Sequence, residues 1–493
     1  MKKVSLTKLL SGVTCISPMD CLDLNKQVSV ALKDSNIAED SVLFLTRSIG
    51  ESKLIFDASA LKENPYAIIT DTETEVLNSP SMIISVSDVR LALAYAYSNL
   101  YEIDYDKLKI IGVTGTNGKT TVATLIYSIL MASGYRVGFI GTGKIMICED
   151  KVTSDNYSMT TPDPSILYNT LFEMQSQKCD FVVMEVSSHS IALNKIAPIK
   201  FEYSIFTNLS SEHMDFHKSM EDYFTTKLRL FSISRNGLFN LDDKHVRRAY
   251  DTVNCPKSSI GIINSADAYV TDVVLEGLNG SSFYYRQKNL IFRIKTSLCG
   301  AFNIYNCLMA LRCVIDLGIK PCIAKRALEE IESVDGRMEI IRSDIKVIID
   351  YAHTPQAVEN CLKSLYCDNV LRQNIVVVFG CGGDRDKEKR SRMGKIASEY
   401  CGTVIITEDN SRTESLESII SDISEGIEDT YIFIKDRADA IRYAILSAHA
   451  GDTVAILGKG HEKYIIKSTG IEPFDEKSIV RAVLDERELS HAD

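Results

Sequence analysis

Short apolar runs alternate with polar turns and with segments of helical periodicity along most of the chain. In the first hundred residues, the runs 41–45 and 66–69 predict strands, and the stretch 89–100 predicts a helix. Further along, the apolar runs 181–186 and 203–207 predict strands that alternate with helical segments. Such alternation is typical of a mainly parallel sheet covered by helices, so the pattern predicts an α/β fold.

The last third of the chain repeats this alternation. Four apolar strands with helical segments between them indicate a Rossmann-like sheet, in which ligands bind beyond the carboxyl ends of the strands. The four runs are residues 347–351, 375–379, 404–407 and 453–457.

Two breaks in the pattern divide the chain into domains. A charged, aromatic connector precedes residue 106, and a second break falls near residues 335–337. A chain of 493 residues is long enough for about three domains. The predicted domains are a small N-terminal α/β domain (1–105), a central P-loop ATPase-like domain with a mainly parallel sheet (106–334) and a C-terminal Rossmann-like domain (335–493).

Composition restricts the classes of function. The net charge of −11 argues against a nucleic acid or a membrane surface as partner. Thirteen cysteines are scattered without a Cys-x-x-Cys pair, which is typical of a reduced protein of the cytosol. No run approaches the roughly 18 apolar residues of a membrane span. We therefore expect a cytoplasmic monomer that acts on small molecules and does not insert into a membrane.

One segment carries strong chemical information. Residues 109–121, KIIGVTGTNGKTT, lead an apolar strand into a glycine-rich turn and then into a helix. Such a turn cradles phosphates with its backbone N–H groups, its lysine neutralises phosphate charge, and its threonine hydroxyl can reach Mg²⁺. Val113 stands where the Walker spacing requires glycine, so the loop is a variant; a chance Gly-Lys-Thr turn is the competing interpretation. The predicted ATP contacts are Gly115, Thr116, Asn117, Gly118, Lys119, Thr120 and Thr121.

Two polar side chains follow neighbouring predicted strands beside this loop. Glu185 ends one strand and His213 lies just beyond another. Either residue alone is more often a satisfied polar group, but together beside a phosphate loop they are candidate Mg²⁺ ligands. Lys227 lies on a predicted helix and by itself indicates only a solvated or salt-bridged lysine.

The chain resembles the Mur ligases, and specifically those that add the third amino acid of the peptidoglycan stem peptide. The resemblance covers residue 109 to the C-terminus, whereas the first hundred residues match weakly. It is carried by motifs in one order: GTNGKTT, TTPDP, EVSSHS, TNLSSEHMDFH, YFTTKLRLF, GAFNIYN, DGRMEII, DYAHTP, FGCGGDRDKEKR, TEDNSRTES and GKGHE.

The resemblance implies an ATP-dependent amide ligase. ATP phosphorylates the terminal carboxylate of a UDP-muramoyl-dipeptide, and an incoming diamino acid attacks the resulting acyl phosphate. By similarity, Thr120 and Glu185 hold one Mg²⁺ and His213 holds another. Lys227 matches a lysine that CO₂ converts into a carbamate, which can bind metal. The implied catalytic set is Lys119, Glu185, His213 and Lys227.

Five further residues match the nucleotide site of the family. They are Asn303, Asn306, Arg337, Asp350 and His353. Asn303 has a competing interpretation as a helix cap. The resemblance also implies that the third domain closes over ATP and brings Arg337 to the phosphates, which would exclude water from the acyl phosphate.

The muramoyl-peptide contacts implied by the resemblance are less well matched. Lys195 replaces a usual arginine, and Leu193 replaces a usual glutamine. Hydroxyl residues in such loops have a competing interpretation as turn caps. In the first domain the usual Asp-Ser-Arg becomes 34–36, Asp-Ser-Asn. The implied contacts are Ser35, Thr160, Thr161, Ser187 and Lys195.

The segment 409–412, Asp-Asn-Ser-Arg, resembles the Asp-Asn-Pro-Arg signature of relatives that add meso-diaminopimelate. An arginine can grip the distal carboxylate that L-lysine lacks, and a glutamate can meet the distal ammonium. A solvated surface arginine is the competing interpretation of Arg412. The implied pocket comprises Arg385, Asp409, Asn410, Arg412, Gly458 and Glu462.

Four other functions compete with this one. A P-loop kinase or ATPase would explain the phosphate loop but not the later motifs, and a non-catalytic nucleotide-binding scaffold would be expected to lose at least one site residue. Within the ligases, L-lysine or another diamino acid could be the substrate added, or a different carboxylate could be the acceptor.

Overall fold

The computed structural model describes residues 2–17, 22–32, 37–48, 50–152, 159–366 and 370–492. Each of three main sheets is built from strands of one proposed domain. The predicted α/β fold class is therefore confirmed. No helix in these described ranges is long and apolar enough to cross a bilayer.

Among the described residues, the N-terminal sheet has five strands in the order β1-β2-β3-β5-β7, and all neighbours except β1 and β2 are parallel. Strands β4 and β6 form a separate parallel pair. The elements are β1 (Val4–Ser5), α1 (Leu6–Leu9), β2 (Gln27–Leu32), β3 (Ser41–Phe44), β4 (Leu54–Asp57), β5 (Ala67–Thr70), β6 (Thr74–Leu77), β7 (Met82–Ser85) and α2 (Val89–Tyr101).

In the described ranges, the central sheet has eleven strands in the order β11-β10-β9-β12-β8-β13-β14-β15-β16-β17-β18. Strands β9 to β16 in this order are parallel, and antiparallel strands extend both edges. The elements are β8 (Lys109–Thr114), α3 (Lys119–Ala132), β9 (Val137–Gly141), β10 (Lys144–Ile147), β11 (Asp150–Lys151), α4 (Pro164–Ser176), β12 (Phe181–Glu185), α5 (Ser188–Ala192), β13 (Phe201–Phe206), α6 (Met220–Leu228), β14 (Gly237–Asn240), α7 (Lys244–Thr252), β15 (Lys257–Gly261), β16 (Ala268–Leu275), β17 (Ser281–Gln287), β18 (Leu290–Thr296), α8 (Ala301–Asp316) and α9 (Pro321–Glu329).

Over the residues that the structure describes, the C-terminal sheet has six strands in the order β19-β20-β24-β21-β22-β23, and only β19 is antiparallel to its neighbour. A two-stranded hairpin, β25 with β26, follows it. The elements are β19 (Glu339–Arg342), β20 (Lys346–Asp350), α10 (Pro355–Tyr366), β21 (Ile375–Phe379), α11 (Glu388–Tyr400), β22 (Thr403–Ile406), α12 (Leu416–Ser424), β23 (Ile432–Phe433), α13 (Arg437–Ser447), β24 (Thr453–Leu457), β25 (Tyr464–Lys467), β26 (Gly470–Pro473) and α14 (Glu476–Ala492).

Strand order explains where the polar motifs gather. Strands β12, β8 and β13 are adjacent and parallel, so the loops after their carboxyl ends lie together. The same holds for β20, β24, β21 and β22 in the C-terminal sheet. The central strands are almost entirely buried and the helices cover both faces of the sheet, so these loops are the places where chemistry can meet solvent.

Candidate active site

The phosphate loop has the backbone that its glycines predict. Gly115 and Gly118 adopt φ of 145° and 83°, a region that favours glycine, and helix α3 begins at Lys119. Lys119 Nζ donates to the carbonyls of Gly115 and Thr116, at 3.0 and 2.8 Å. A Cβ on Gly118 would lie 2.7 Å from Asn306 Oδ1, so helix α8 packs closely against the loop. The loop is thus shaped to bind phosphate at a helix N-terminus.

Oxygen atoms suited to Mg²⁺ lie at the start of helix α3. Thr120 Oγ1 donates to Glu185 Oε2 at 2.9 Å, and the other oxygen of this buried carboxylate accepts from the Thr142 amide. Arg337, from the third domain, donates to Thr120 Oγ1 at 3.0 Å. Within the described ranges, no group of three His, Cys, Asp or Glu side chains could hold a metal. The hydroxyl and carboxylate fit a hard cation that takes its remaining ligands from phosphate or water.

Lys227 is buried, so its interpretation as a solvated lysine is wrong. Only 1% of the residue is exposed, and its Nζ donates to the Gly115 carbonyl at 3.1 Å. Burial, reinforced by the nearby charge of Lys119, lowers the pKa of Lys227 well below its usual value. The amine is therefore biased toward its uncharged, nucleophilic form.

His213 lies beside this lysine, with φ of 59°. Burial lowers the pKa of the His213 imidazole to about 3, which leaves a neutral ring that can bind metal. Its ring contacts His189 edge-on, with 5.0 Å between ring centroids. His189 was not predicted to be in the site, although it lies in the EVSSHS motif.

Glu212 also lies in the site and was not predicted. It is buried, and its Oε1 accepts from His353 Nε2 of the third domain at 3.0 Å. Burial raises the pKa of Glu212, but the hydrogen bond from His353 opposes that effect and the pKa is lowered overall. The only sequence signal was its position next to His213.

A cavity of about 520 Å³ lies between the phosphate loop and the third domain. Six of the seven predicted phosphate-loop residues, 116–121, line this larger cavity, together with Glu185, His213, Asn306, Arg337, Asp350 and His353. Gly115 does not line it; its carbonyl accepts hydrogen bonds from Lys119 and Lys227. Asn303 does not line the cavity. It donates to the Cys299 carbonyl and accepts from Asn306 Nδ2, and thereby orients the Asn306 side chain. The N-cap of α8 is Gly300, so the interpretation of Asn303 as the cap is wrong.

A second cavity, of about 250 Å³, lies on the other side of Glu212 and His213. The structure brings all six predicted diamino-acid contacts to this smaller cavity: Arg385, Asp409, Asn410, Arg412, Gly458 and Glu462. Thr160, Glu212, His213, Tyr351 and His353 line both cavities.

The smaller cavity contains opposed charges. Arg412 is partly buried, and its Nη1 donates to the carbonyls of Gly383 and Asn410, so it is not a solvated surface arginine. Burial, and then the nearby charge of Arg385, lower the pKa of Arg412. Glu462 Oε2 accepts from Asn410 Nδ2 at 3.0 Å and from the buried Lys459 at 3.1 Å. Lys459 was not predicted, although it lies inside GKGHE.

The predicted muramoyl-peptide contacts are only partly brought together. Thr160 lines both cavities, and Thr161 Oγ1 donates to the Glu185 carbonyl at 2.9 Å. Ser187 is the N-cap of α5, which agrees with the turn-cap interpretation. Lys195 pairs with Asp163 at 2.5 Å. Ser35 lies outside the described residues.

Family models match both of the domains that form this site. Residues 113–314 match the family model of the Mur ligase middle domain, and residues 336–460 match that of the Mur ligase glutamate ligase domain. A relative from Clostridium acetobutylicum, named UDP-N-acetylmuramoyl-L-alanyl-D-glutamate–2,6-diaminopimelate ligase 1, is 36% identical over 92% of this chain and 96% of its own length. The chain belongs to the Mur ligase family. The resemblance read from the sequence motifs is therefore confirmed.

Other Mur ligases match over nearly the whole chain. A diaminopimelate ligase of the same name from Clostridioides difficile is 36% identical over 98% of this chain and 99% of its own. A solved structure of such a ligase has a TM-score of 0.67 and 28% identity, covering 99% of this chain and 100% of that one. Mycobacterium tuberculosis folylpolyglutamate synthase, complexed with ADP and AMPPCP, has a TM-score of 0.63 at 16% identity, covering 76% and 93%, and shares the fold alone.

The close approach at Gly115 gives a test of the phosphate loop. A Cβ at this position would lie 1.9 Å from Thr207 Oγ1, so Gly115→Ala must displace the loop. We expect the affinity for a non-hydrolysable ATP analogue, measured by calorimetry, to fall at least about tenfold, or about 1.4 kcal/mol.

Gly134→Ala is the matched control. Gly134 also has positive φ, 86°, but nothing lies within 4 Å of a Cβ built there. The control should bind the analogue like the wild type. Equal affinity in the two variants would contradict a phosphate-binding role for the loop.

Proposed function

We propose that this Mur ligase uses ATP to join meso-diaminopimelate to UDP-N-acetylmuramoyl-L-alanyl-D-glutamate, through an acyl phosphate, in the synthesis of peptidoglycan precursors. The observation that supports this most strongly is the wall common to the two cavities, formed by Thr160, Glu212, His213, Tyr351 and His353. The shared residues show that the two cavities adjoin. An acyl group activated beside the phosphate loop would therefore lie next to an amine held in the smaller cavity.

The first step is phosphoryl transfer from ATP to the terminal carboxylate of the acceptor. Lys119 and Arg337 would neutralise the charge that develops on the phosphate oxygens, one from each side of the larger cavity. Thr120 and Glu185 would hold one Mg²⁺, and His213 a second, and the ions would add further charge neutralisation.

The second step is attack by the amine of the diamino acid on the acyl carbon. The carbon–nitrogen bond forms as inorganic phosphate leaves, and the amine loses a proton. No protein nucleophile is required, so the residues contribute by positioning and by excluding water. Glu212 and His353 support this role, because their hydrogen bond joins the two domains beside the reacting groups.

Selection of the diamino acid would depend on the smaller cavity. Arg385 and Arg412 would bind a carboxylate at the distal end, which L-lysine lacks. Glu462 would meet the distal ammonium, although it already accepts hydrogen bonds from Lys459 and Asn410. L-Lysine, another diamino acid or a different acceptor remain the alternatives.

We further propose domain limits at 1–105, 106–334 and 335–493, binding the UDP substrate, ATP and the amino acid respectively, and a cytoplasmic monomer as the working form.

The function is tested by ADP release together with mass spectrometry of the product. The wild type is given UDP-N-acetylmuramoyl-L-alanyl-D-glutamate with either meso-diaminopimelate or L-lysine. We expect the amide product with diaminopimelate alone. Product with lysine alone would support an amide ligase but contradict binding of a distal carboxylate by Arg385 and Arg412. No product with either amino acid would point to another substrate.

Arg412→Ala tests that argument directly. Losing a charged hydrogen-bond partner of the distal carboxylate should raise KM for diaminopimelate about 10- to 100-fold while leaving KM for ATP unchanged. Arg442→Ala removes an arginine of the same domain that is 49% exposed and pairs with Glu486, so it serves as the control. Unchanged kinetics in Arg412→Ala would remove this residue from the site.

Lys227 would carry a carbamate. Its uncharged amine would attack CO₂ and lose a proton, giving a carbamate anion beside the Lys119 cation. We expect a carbamate signal in ¹³C NMR with labelled bicarbonate, bicarbonate-dependent activity, and loss of both in Lys227→Ala.

The exposed Lys218→Ala, on the loop before helix α6, is the control and should behave as the wild type. Full activity of Lys227→Ala, or activity that never responds to bicarbonate, would contradict the role.

A further inference from the structure

Two loops of the C-terminal domain carry the arginines of the smaller cavity, and their backbones are joined directly. The first arginine loop, residues 380–386, follows β21 and contains Arg385; the second, residues 407–414, follows β22 and contains Arg412. The Gly383 amide donates to the Asn410 carbonyl at 2.9 Å, and Arg412 Nη1 donates to the Gly383 carbonyl at 2.8 Å. The position of each arginine therefore depends on the other loop.

A buried arginine outside the cavity wall bonds to both loops. Arg390, on helix α11, is 0% exposed. Its Nη2 donates to the Gly382 carbonyl of the first loop at 3.0 Å and to Glu414 Oε2 of the second at 2.7 Å. Its Nη1 donates to Glu414 Oε1 at 2.8 Å and to Asp422 Oδ2 at 2.7 Å.

Glu414 completes the connection. Its Oε2 also accepts from the Asp384 amide of the first loop at 3.0 Å, and the Asp384 carboxylate accepts from the Thr413 amide of the second at 3.0 Å. One bidentate guanidinium–carboxylate pair thus fixes the base of both arginine loops.

Burying such a network is costly, since the desolvation of two or three charges offsets much of their attraction. A structural role alone could be filled by apolar side chains of similar volume. An arginine differs from an apolar side chain because its planar guanidinium group holds a carbonyl and a carboxylate at fixed angles to each other.

We propose that Arg390, acting through Glu414, is a positioning residue for diamino-acid selection: it holds Arg385 and Arg412 at the separation at which both can bind the distal carboxylate. The proposal rests on the proposed function. A planar bidentate site tolerates little displacement, since misplacement by about 1 Å can cost about 100-fold in rate.

The test compares Arg390→Lys and Arg390→Met with Lys387→Met. Lys387 also pairs with Glu414, at 3.0 Å, but is 63% exposed, so it is a matched cation outside the buried network. In both Arg390 variants we expect KM for diaminopimelate to rise at least about tenfold and its preference over L-lysine to fall, with KM for ATP within about twofold. Lys387→Met should behave as the wild type.

An unchanged ATP KM also shows that a variant is folded. If Arg390→Met does not fold, Arg390→Lys and Glu414→Gln test the same link with smaller changes. Equal losses for ATP and diaminopimelate, or an unchanged diaminopimelate KM in folded variants, would overturn the positioning role. No amide from the wild type with any diamino acid would overturn the proposed function as well, whereas normal wild-type activity with unaffected variants would overturn this inference alone.

Discussion

The central and C-terminal sheets, both mainly parallel, face each other through the carboxyl ends of their strands. The whole site depends on that arrangement. Parallel strands deliver their following loops to one edge, so a single sheet can offer groups from only one side. Here the central sheet supplies the phosphate loop, Glu185 and His213, and the C-terminal sheet supplies Arg337 and His353. The hydrogen bonds from Arg337 to Thr120 and from His353 to Glu212 join the two edges.

Charged side chains are concentrated where these edges meet, and burial shifts the pKa values of the lysines among them. Lys119 and Lys227 both donate to the Gly115 carbonyl, and burial lowers the pKa of each. Two lysines around one carbonyl oxygen repel each other when both are charged. The arrangement is stable only if anionic groups are close or one amine is neutral, which is the condition that phosphate binding and carbamate formation would each satisfy.

Features encoded locally could be predicted from the sequence. The phosphate loop, Glu185 at the end of its strand and the glycine-rich GKGHE loop each depend on a few consecutive residues, and the structure places them at strand ends as expected. Asn303 was harder, because whether an asparagine caps a helix or supports a neighbour depends on where the helix begins.

Residues whose partners are distant in sequence could not be predicted. Glu212 meets His353 from another domain, and Arg390 bonds to carbonyl and carboxylate groups in two separate loops. An isolated glutamate or arginine in a charged segment has no sequence pattern that distinguishes it from a solvated surface residue. The resemblance to the family indicated where the pockets lie but not what supports them.

The contact between the two arginine loops also limits how this enzyme could change over evolutionary time. A Cβ at Gly383 would lie only 2.0 Å from the Ser411 carbonyl oxygen, so the gap between the two backbones has no room for a side chain at this position. Inserting a residue into either loop would force them apart and separate the guanidinium groups. Variation in this pocket is therefore confined to exchanging side chains on a loop pair of fixed length.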